Sequence, residues 1–360
     1  MSLVERRQAL LRLQEVRKSK VIAYVLSDRL STAPIPGMNT RLAAEPQLQL
    51  ADHLRSLGRV ENLDLFLYTR GGDTNSVWPL VTMCREFAEK FRLLVPFRAH
   101  SGGTLIGLGA DEIIMGRLGE LSPIDPETAN PFNPLFENDP NKRKPISVED
   151  VASYMELAKD ERIGLEKEDH MLEVFKALSA QVHPLALGNV FRALRQIRLL
   201  AKKLLELHMD TEKDKQRIET IVDTLTVKLY SHHHIIGREE AISFMGEDLV
   251  KVPSADEEQA MWDLFEHYAE GLELRTRFNL LEFLGDEVQR EIVVTGGYME
   301  SENLGHVFRC NSILSAISQF PPNVQVQVPP GQPIPRIPGF PVAMIVQPVW
   351  ERWERNEGGE

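Results

Sequence analysis

The sequence has few cysteines, no long apolar run and no excess of positive charge. Its only cysteines, Cys84 and Cys310, are too few for a disulfide framework and fit a reducing compartment. No apolar stretch approaches the length that spans a bilayer. The 41 basic and 53 acidic residues give a formal net charge of −12, whereas a nucleic-acid binder needs a basic surface. We therefore expect a cytoplasmic protein without a membrane span or a nucleic-acid partner.

The first 125 residues alternate between the hydrophobic periods of strands and helices. Continuous apolar runs such as residues 20–26 predict buried strands, and the apolar spacing of residues 47–57 predicts a helix. This alternation is typical of an α/β protein with βαβ units and a mostly parallel sheet. Strands are predicted at 20–26, 63–68, 93–98, 112–115 and 120–124, and helices at 47–57, 75–91 and 104–110.

The rest of the sequence changes character three times. Residues 125–146 hold five prolines and predict a long irregular loop of the kind that often serves function, and residues 147–230 have a helical pattern. Helical periodicity returns at 256–284, and a short strand is predicted at 291–295. The predicted division is a core (1–250), an acidic helical part (251–320) and a proline-rich tail or arm (321–360).

Two glycine pairs, Gly71-Gly72 and Gly102-Gly103, each follow the end of a predicted strand. Sites form at the carboxyl ends of strands in an open parallel sheet, so both pairs are expected at the same edge. Glycines let backbone N–H groups approach a ligand, and two such groups can stabilise one oxyanion. Ser101, just before a short predicted helix, is then a candidate nucleophile. The alternative is that the glycines only form tight turns and Ser101 only caps the helix.

The segments around these glycines resemble the Clp/crotonase superfamily. The strand and turn LFLYTRGGD (65–73) is followed by VPFRAHSGGTLIGLGADEI (95–113). Within the superfamily this pair is most similar to the serine dehydrogenase proteinases and the signal peptide peptidase A-like serine peptidases. Residues 122–126, 186–188 and 237–241 are similar to the serine dehydrogenase proteinase pattern. The resemblance implies a Clp/crotonase spiral of ββα units, oligomers formed through the helices, and a serine peptidase or a descendant of one.

The resemblance also implies roles for individual residues. Ser101 is then the nucleophile, the Gly102 N–H is one oxyanion donor, and the N–H of Gly71 or Gly72 is the other. These residues come from two segments that are well separated in the sequence, so the implied site depends on the fold bringing them together.

The sequence departs from a Ser-His-Asp triad at the general base. No histidine occurs between Ser101 and His170, and His100 is a poor base because neighbours on a turn generally point apart. The signal-peptide-peptidase-like enzymes use a Ser-Lys dyad instead, with a lysine that follows the same loop. The counterpart here is Lys144 or Lys142, and a lysine acts as a base only when its pKa is lowered.

These observations predict a soluble serine peptidase with a Ser-Lys dyad that acts on peptide or protein substrates and forms homo-oligomers. The missing histidine leaves an alternative, a non-hydrolytic acyl-thioester binder or a catalytically inactive oligomeric scaffold. No cofactor or metal is expected. In residues 231–234 only His232 and His234 share a face, and no acidic or cysteine partner stands at a ligand-like spacing.

Overall fold

The computed structural model describes residues 2–124, 127–128, 130–136, 139–144, 146–165, 167–229, 231, 234–320, 337 and 339–356. Within them the helices are α1 (Leu3–Arg17), α2 (Gln47–Leu57), α3 (Val77–Phe87), α4 (Gly102–Leu108), α5 (Val148–Lys159), α6 (Glu168–Gln181), α7 (Pro184–Leu205), α8 (Lys215–Asp223), α9 (Arg238–Met245), α10 (Ala255–Gly271) and α11 (Leu280–Leu284). The strands are β1 (Lys20–Leu26), β2 (Val60–Tyr68), β3 (Ala88–Val95), β4 (Arg98–Ala99), β5 (Glu112–Met115), β6 (Glu120–Leu121), β7 (Glu127–Thr128), β8 (Leu135–Phe136), β9 (Asp139–Arg143), β10 (Ile146–Ser147), β11 (Ile236–Gly237), β12 (Val250–Lys251), β13 (Gln289–Glu300), β14 (Gly305–Ser318) and β15 (Val342–Arg355).

One large sheet organises the chain, with strand order β12-β5-β3-β2-β1-β13-β14-β15. The five strands from β12 to β1 are parallel, and β13, β14 and β15 continue the sheet as antiparallel neighbours. The predicted α/β class with a mostly parallel sheet is therefore confirmed. A smaller sheet, β11-β6-β4, lies at the carboxyl end of β3.

Helices cover both faces of the parallel strands, which explains why β1 and β2 are apolar almost without interruption. On one face, alternate residues such as Ile22 and Leu65 pack in a core with α2, α3, α4, α7 and α8. On the other face, residues such as Val21 and Phe66 pack against α1 and α10. No described helix is both long and apolar enough to cross a membrane.

The segment after α3 corrects the prediction. A helix was expected over 75–91 and a strand over 93–98, but α3 ends at Phe87 and β3 begins at Ala88 without a loop. Ala88 pairs with Val60 at the start of β2, and the pairing continues along both strands. The ladder with β2 therefore overrides the helical periodicity of the sequence.

The C-terminal third also differs from its prediction. The helical character expected for 251–320 holds for α10 and α11, but β13 and β14 occupy much of the remainder. In the expected tail, β15 pairs along β14 and so belongs to the central sheet. The proline-rich run 321–336 and residues 357–360 lie outside the described residues. The division into separate domains stays a prediction.

Candidate active site

The segments that follow β2 and β3 are joined side by side. Thr69, the first residue after β2, donates its N–H to the Arg98 carbonyl at 2.9 Å and accepts from the N–H of His100 at 3.1 Å. Both segments leave the carboxyl ends of parallel strands, where open sheets form their sites. These bonds hold the two glycine pairs at one edge of the sheet.

Gly71 lies directly against Ser101. A Cβ atom on Gly71 would be 2.7 Å from Ser101 Cβ and 2.9 Å from the His100 carbonyl oxygen, and Gly71 has φ +88°. Both the space and the backbone therefore require glycine. These contacts confirm the prediction that the two glycine pairs meet.

A third segment fastens the first glycine turn. Leu42 donates its N–H to the Gly71 carbonyl at 2.8 Å, and its own carbonyl accepts from the N–H of Asp73 at 2.8 Å. A Cβ atom on Gly72 would lie 2.2 Å from the Leu42 oxygen, so a side chain there would push this segment away. Sequence reasoning missed Leu42, because a bridge to a distant loop leaves no periodic signal.

Ser101 has φ 49° and ψ −106°, an unfavourable backbone for a residue with a side chain. It stands where β4 gives way to α4, and its side chain makes no capping hydrogen bond to that helix. Ser101 is thus the N-cap residue of α4 by position, and its side chain does not satisfy the helix N-terminus. Strained residues of this kind concentrate at active sites.

Ser122 and Thr104 hold the backbone of this turn. The Ser101 N–H donates to Ser122 Oγ at 2.8 Å, and Ser122 Oγ lies 3.1 Å from the Pro123 carbonyl. The buried Thr104 Oγ1 accepts from the Ser122 N–H at 3.1 Å and lies 3.0 Å from the Ala99 carbonyl. Sequence reasoning singled out Ser122 only as part of a family-like segment and gave Thr104 no role.

The backbone amides around Ser101 differ in their partners. The Gly71 N–H donates to Thr69 Oγ1 at 3.0 Å. Within the described part of the chain, the amides of Gly72 and Gly102 have no acceptor. A Cβ atom on Gly102 would lie 3.7 Å from the Gly72 nitrogen, so these two amides are close neighbours.

The two lysines lie in the segment that precedes α5. Lys144 donates its N–H to the Pro134 carbonyl at 2.7 Å, and its carbonyl accepts from Asn133 Nδ2 at 2.9 Å. Its Nζ lies 6.0 Å from the centre of the Phe136 ring. Lys142 is part of β9, and its side chain lies outside the described part. No contact described for either lysine joins it to Ser101.

His100, the residue before Ser101, belongs to a polar network. Its Nε2 lies 3.2 Å from Glu120 Oε2, and Glu120 also pairs with Arg98 at 3.3 Å. Arg98 pairs with Asp28 at 2.8 Å, and Asp28 accepts from the Tyr68 hydroxyl at 2.6 Å. Burial, reinforced by the charge of Asp28, raises the pKa of Tyr68 above its ordinary value, so Tyr68 stays a neutral donor.

Over the ranges that the structure describes, no group of three or more His, Cys, Asp or Glu residues is arranged to hold a metal ion. His234 Nε2 lies 2.8 Å from Glu240 Oε1, while His232 and His233 lie outside the described residues.

Comparison with known proteins agrees with the motifs. Residues 1–156 match the family of ClpP-like SDH-type serine proteinases, which confirms the resemblance predicted from the sequence. Two uncharacterised proteins of Methanocaldococcus jannaschii are 31% identical over 86 residues and 27% identical over 126 residues. These matches cover 24% and 35% of this chain, and 30% and 43% of the two proteins. The chain thus spans less than half the length of these relatives.

A solved structure is also similar, an alanine mutant of the 1510-N membrane-bound stomatin-specific protease. The similarity covers 65% of this chain and 82% of that chain, at 15% identity and a TM-score of 0.35.

Proposed function

We propose that this chain, whose residues 1–156 match a family of ClpP-like serine proteinases, is a serine peptidase with Ser101 as its nucleophile. The observation that carries the proposal is the backbone of Ser101, with φ 49° at the junction of β4 and α4 and with Gly71 packed against its Cβ. A sharp strand-to-helix turn is a recurrent way of presenting a nucleophilic serine. The substrate is a peptide or protein segment.

The oxyanion donors in this proposal are the amides of Gly72 and Gly102. The Gly71 amide is engaged by Thr69 Oγ1 at 3.0 Å, which favours Gly72 over Gly71. These two N–H groups come from separate segments, and neither has an acceptor within the described residues. Both can therefore donate to the oxygen of a tetrahedral intermediate, on which negative charge develops.

The general base in this proposal is Lys144, with Lys142 as the second candidate. The Lys144 ammonium now lies beside the Phe136 ring, so the segment that precedes α5 has to bring it within hydrogen-bond reach of Ser101 Oγ. Closure of this segment over the turn would also exclude water from the site.

The reaction then follows the acyl-transfer pattern of serine peptidases. Ser101 Oγ attacks the scissile carbonyl carbon and gives its proton to the neutral lysine, while the two amides hold the oxyanion. The C–N bond breaks as the lysine returns the proton to the leaving amine. Water, deprotonated by the same lysine, then cleaves the acyl ester and restores Ser101.

Covalent labelling with a fluorophosphonate probe tests the nucleophile. We expect the wild-type chain to be labelled and Ser101→Ala not to be labelled. The matched control is Ser243→Ala, which removes an exposed serine on α9 and should leave labelling unchanged. An unlabelled wild type, or a labelled Ser101→Ala, contradicts the assignment.

The same assay tests the base. We expect Lys144→Ala to slow labelling by at least about a hundredfold, as removal of a general base usually does. Lys142→Ala is the comparison that decides between the two lysines. If both variants are labelled at the wild-type rate, neither lysine is the base.

A non-hydrolytic acyl-thioester binder is the second candidate function. The observation in its favour is that no histidine occurs between Ser101 and His170, so the usual base of a serine nucleophile is missing from the sequence. An oxyanion hole also stabilises a thioester enolate without a nucleophile. Saturable acyl-CoA binding combined with no labelling of Ser101 favours this candidate, whereas labelling of Ser101 with no acyl-CoA binding rules it out.

A further inference from the structure

We propose that a cavity beside the Ser101 turn binds a carboxylate of the peptide substrate together with a neighbouring large apolar side chain. The inference rests on the proposed peptidase function and adds a substrate class to it. The carboxylate comes from an Asp or Glu side chain or from the end of the peptide chain. Both sources offer the same anionic group.

The cavity has a volume of about 470 Å³, which suits one or two side chains. Its lining comes from the segments that follow three adjacent parallel strands, with Asp28 after β1, Arg70 after β2 and Phe97 after β3. Ligands of open α/β sheets bind outside the carboxyl ends of strands, so the cavity is in the position where a substrate is expected.

An aromatic wall forms one side of the cavity. Phe265 of α10 lies 5.8 Å from Phe97 and 5.1 Å from Trp262, measured between ring centres, and Leu274 adds to the same lining. Phe97 and Trp262 are only partly buried, and both line the cavity. This wall provides apolar surface for a large side chain of the peptide.

The charged part of the lining is dominated by arginine. Arg41, Arg70, Arg98 and Arg275 line the cavity, and the carboxylate of Asp28 is the acidic group described among them. Asp28 is already satisfied, by Arg98 at 2.8 Å and by the Tyr68 hydroxyl at 2.6 Å. Because Arg98 is paired with Asp28 and Glu120, and Arg275 with Glu266, the positive charge that a substrate carboxylate would balance is that of Arg70.

Arg70 is the arginine best placed to receive that carboxylate. It is exposed, and over the described residues it makes no ion pair. Arg275, by contrast, is engaged by Glu266 at 2.7 Å. Arg41 stands beside Arg70, because its Nη1 donates to the Arg70 carbonyl oxygen at 2.8 Å.

The cavity is linked to the Ser101 turn through Arg70 itself. The next residue, Gly71, packs against Ser101, and the following Gly72 provides a proposed oxyanion donor. A substrate carboxylate bound at Arg70 therefore lies a few residues of extended peptide from the scissile bond. Because the cavity is this close to Ser101, the group that it binds is expected to belong to the peptide substrate.

Binding of three peptides to the Ser101→Ala protein tests the inference, since this variant cannot consume them. The first peptide is acetyl-Ala-Leu-Phe-Glu-Ala-Ala-amide. The second has Gln in place of Glu, and the third is the Gln peptide with a free terminal carboxylate. By isothermal titration calorimetry at pH 7.5 we expect the first or the third to bind about tenfold more tightly than the second, as one charge-assisted hydrogen bond would give.

Which of the two carboxylate peptides binds more tightly identifies the source of the carboxylate. The variant Arg70→Gln in the same background should remove most of this preference. Arg59→Gln is the matched control, because Arg59 is an exposed arginine just before β2, at the opposite edge of the sheet.

Equal binding of the three peptides, no binding of any, or an equal effect of Arg70→Gln and Arg59→Gln overturns the inference. Fluorophosphonate labelling of the wild type, run in parallel, separates this result from a failure of the proposed function. If the wild type is labelled but no carboxylate is preferred, the proposed carboxylate site is wrong and the proposed peptidase function stands. If a carboxylate is preferred but the wild type is not labelled, the proposed peptidase function is wrong and the site for an anionic peptide stands.

Discussion

At Ser101 the protein keeps a residue in a backbone conformation that costs about 1–3 kcal/mol in other settings. Three contacts hold it there: the hydrogen bond from the Ser101 N–H to Ser122 Oγ, the packing of Gly71 against Ser101, and the hydrogen bond from the His100 N–H to the Thr69 carbonyl. A tight turn alone would have been built more simply with glycine. The strain therefore supports a chemical role for the serine side chain.

Substitution of Gly71 tests whether the fit against Ser101 matters beyond the backbone conformation. Gly71→Ala forces a Cβ to within 2.7 Å of Ser101 Cβ, at φ +88°. We expect a loss of at least about 2 kcal/mol in the free energy of unfolding, measured with urea, because the substitution adds a backbone penalty and a steric clash. Fluorophosphonate labelling should also slow, since Ser101 must move.

Gly58→Ala is the matched control for this substitution. Gly58 has a similar φ of +70°, but a Cβ there would meet no atom within 4 Å. The Gly58→Ala variant should lose only about 1 kcal/mol in the free energy of unfolding, from the backbone conformation alone, and should keep the wild-type labelling rate. Equal losses of stability and equal labelling for both variants would show that contact with Ser101 is unimportant.

At the scale of elements, α2 is attached to β14 by a buried pair of histidines. His53 Nε2 lies 3.0 Å from His306 Nδ1, and His53 Nδ1 lies 2.7 Å from Ser301 Oγ. Burial, with a smaller contribution from the charge of His306, lowers the pKa of His53 to about 3. Burial also lowers the pKa of His306, whose charged neighbours are Asp52 and Arg355. Both rings are therefore neutral when the chain is folded at pH 7.

This pair makes stability fall as the pH falls. The folded pKa of His53 lies below its ordinary value of 6.5, so the unfolded chain binds the proton first. The stabilisation is complete above about pH 6.5 and is lost on acidification towards pH 3. For His53 alone we expect a decrease of about 2 kcal/mol in the free energy of unfolding between pH 7 and pH 5, measured with urea.

The variant His53→Gln removes this titration and should flatten the dependence on pH over the same range. His183→Gln, which replaces an exposed histidine, should keep the wild-type slope. An unchanged slope in His53→Gln would show that other groups cause the effect.

The elements differ in how far the sequence determines them. The bounds of β1 and α2 could be predicted to the residue, because each is a complete hydrophobic pattern bounded by polar residues or glycine. The end of α3 could not be predicted, since residues 88–91 continue the helical period and only the ladder with β2 makes them a strand. β15 could not be predicted, because it follows the proline-rich run and contains Pro348, and only its long pairing with β14 defines it.

The candidate site, too, could be predicted only where a pattern in the sequence defines it. The meeting of the two glycine pairs could be predicted, because both follow parallel strands and such strand ends share an edge. The contacts of Leu42 and Ser122 could not, since single bonds between distant loops leave no pattern in the sequence. The position of a lysine relative to Ser101 depends on a segment whose conformation the sequence does not define.

At the scale of the whole molecule, the sheet ties the two ends of the chain together. The strands β13 to β15 extend the sheet beyond β1, so the C-terminal third completes the structure that holds the site. The helices α5, α6 and the start of α7, here called the helical arm, are different. No described residue of α6 is buried, although the helix has apolar side chains on one face.

The helical arm exposes apolar side chains, and we expect a second copy of this chain to cover them. Leu172 and Phe175 of α6 are 52% and 49% exposed, and Leu157 of α5 is 56% exposed. Such side chains on adjacent helices form a patch that a soluble monomer rarely keeps open. Size-exclusion chromatography with light scattering should give a mass of at least two chains for the wild type.

The double variant Leu172→Asp/Phe175→Asp should shift that mass towards a single chain without loss of helical content, because it places charges in the interface while the sheet remains intact. The control is Leu48→Asp on α2, where an isolated leucine is 75% exposed, and it should leave the mass unchanged. A wild-type monomer, or an oligomer that survives the double variant, would show that the arm does not join copies of the chain. Loss of Ser101 labelling on dissociation would further indicate that the neighbouring copy completes the site, because the segment that holds Lys144 leads directly into α5.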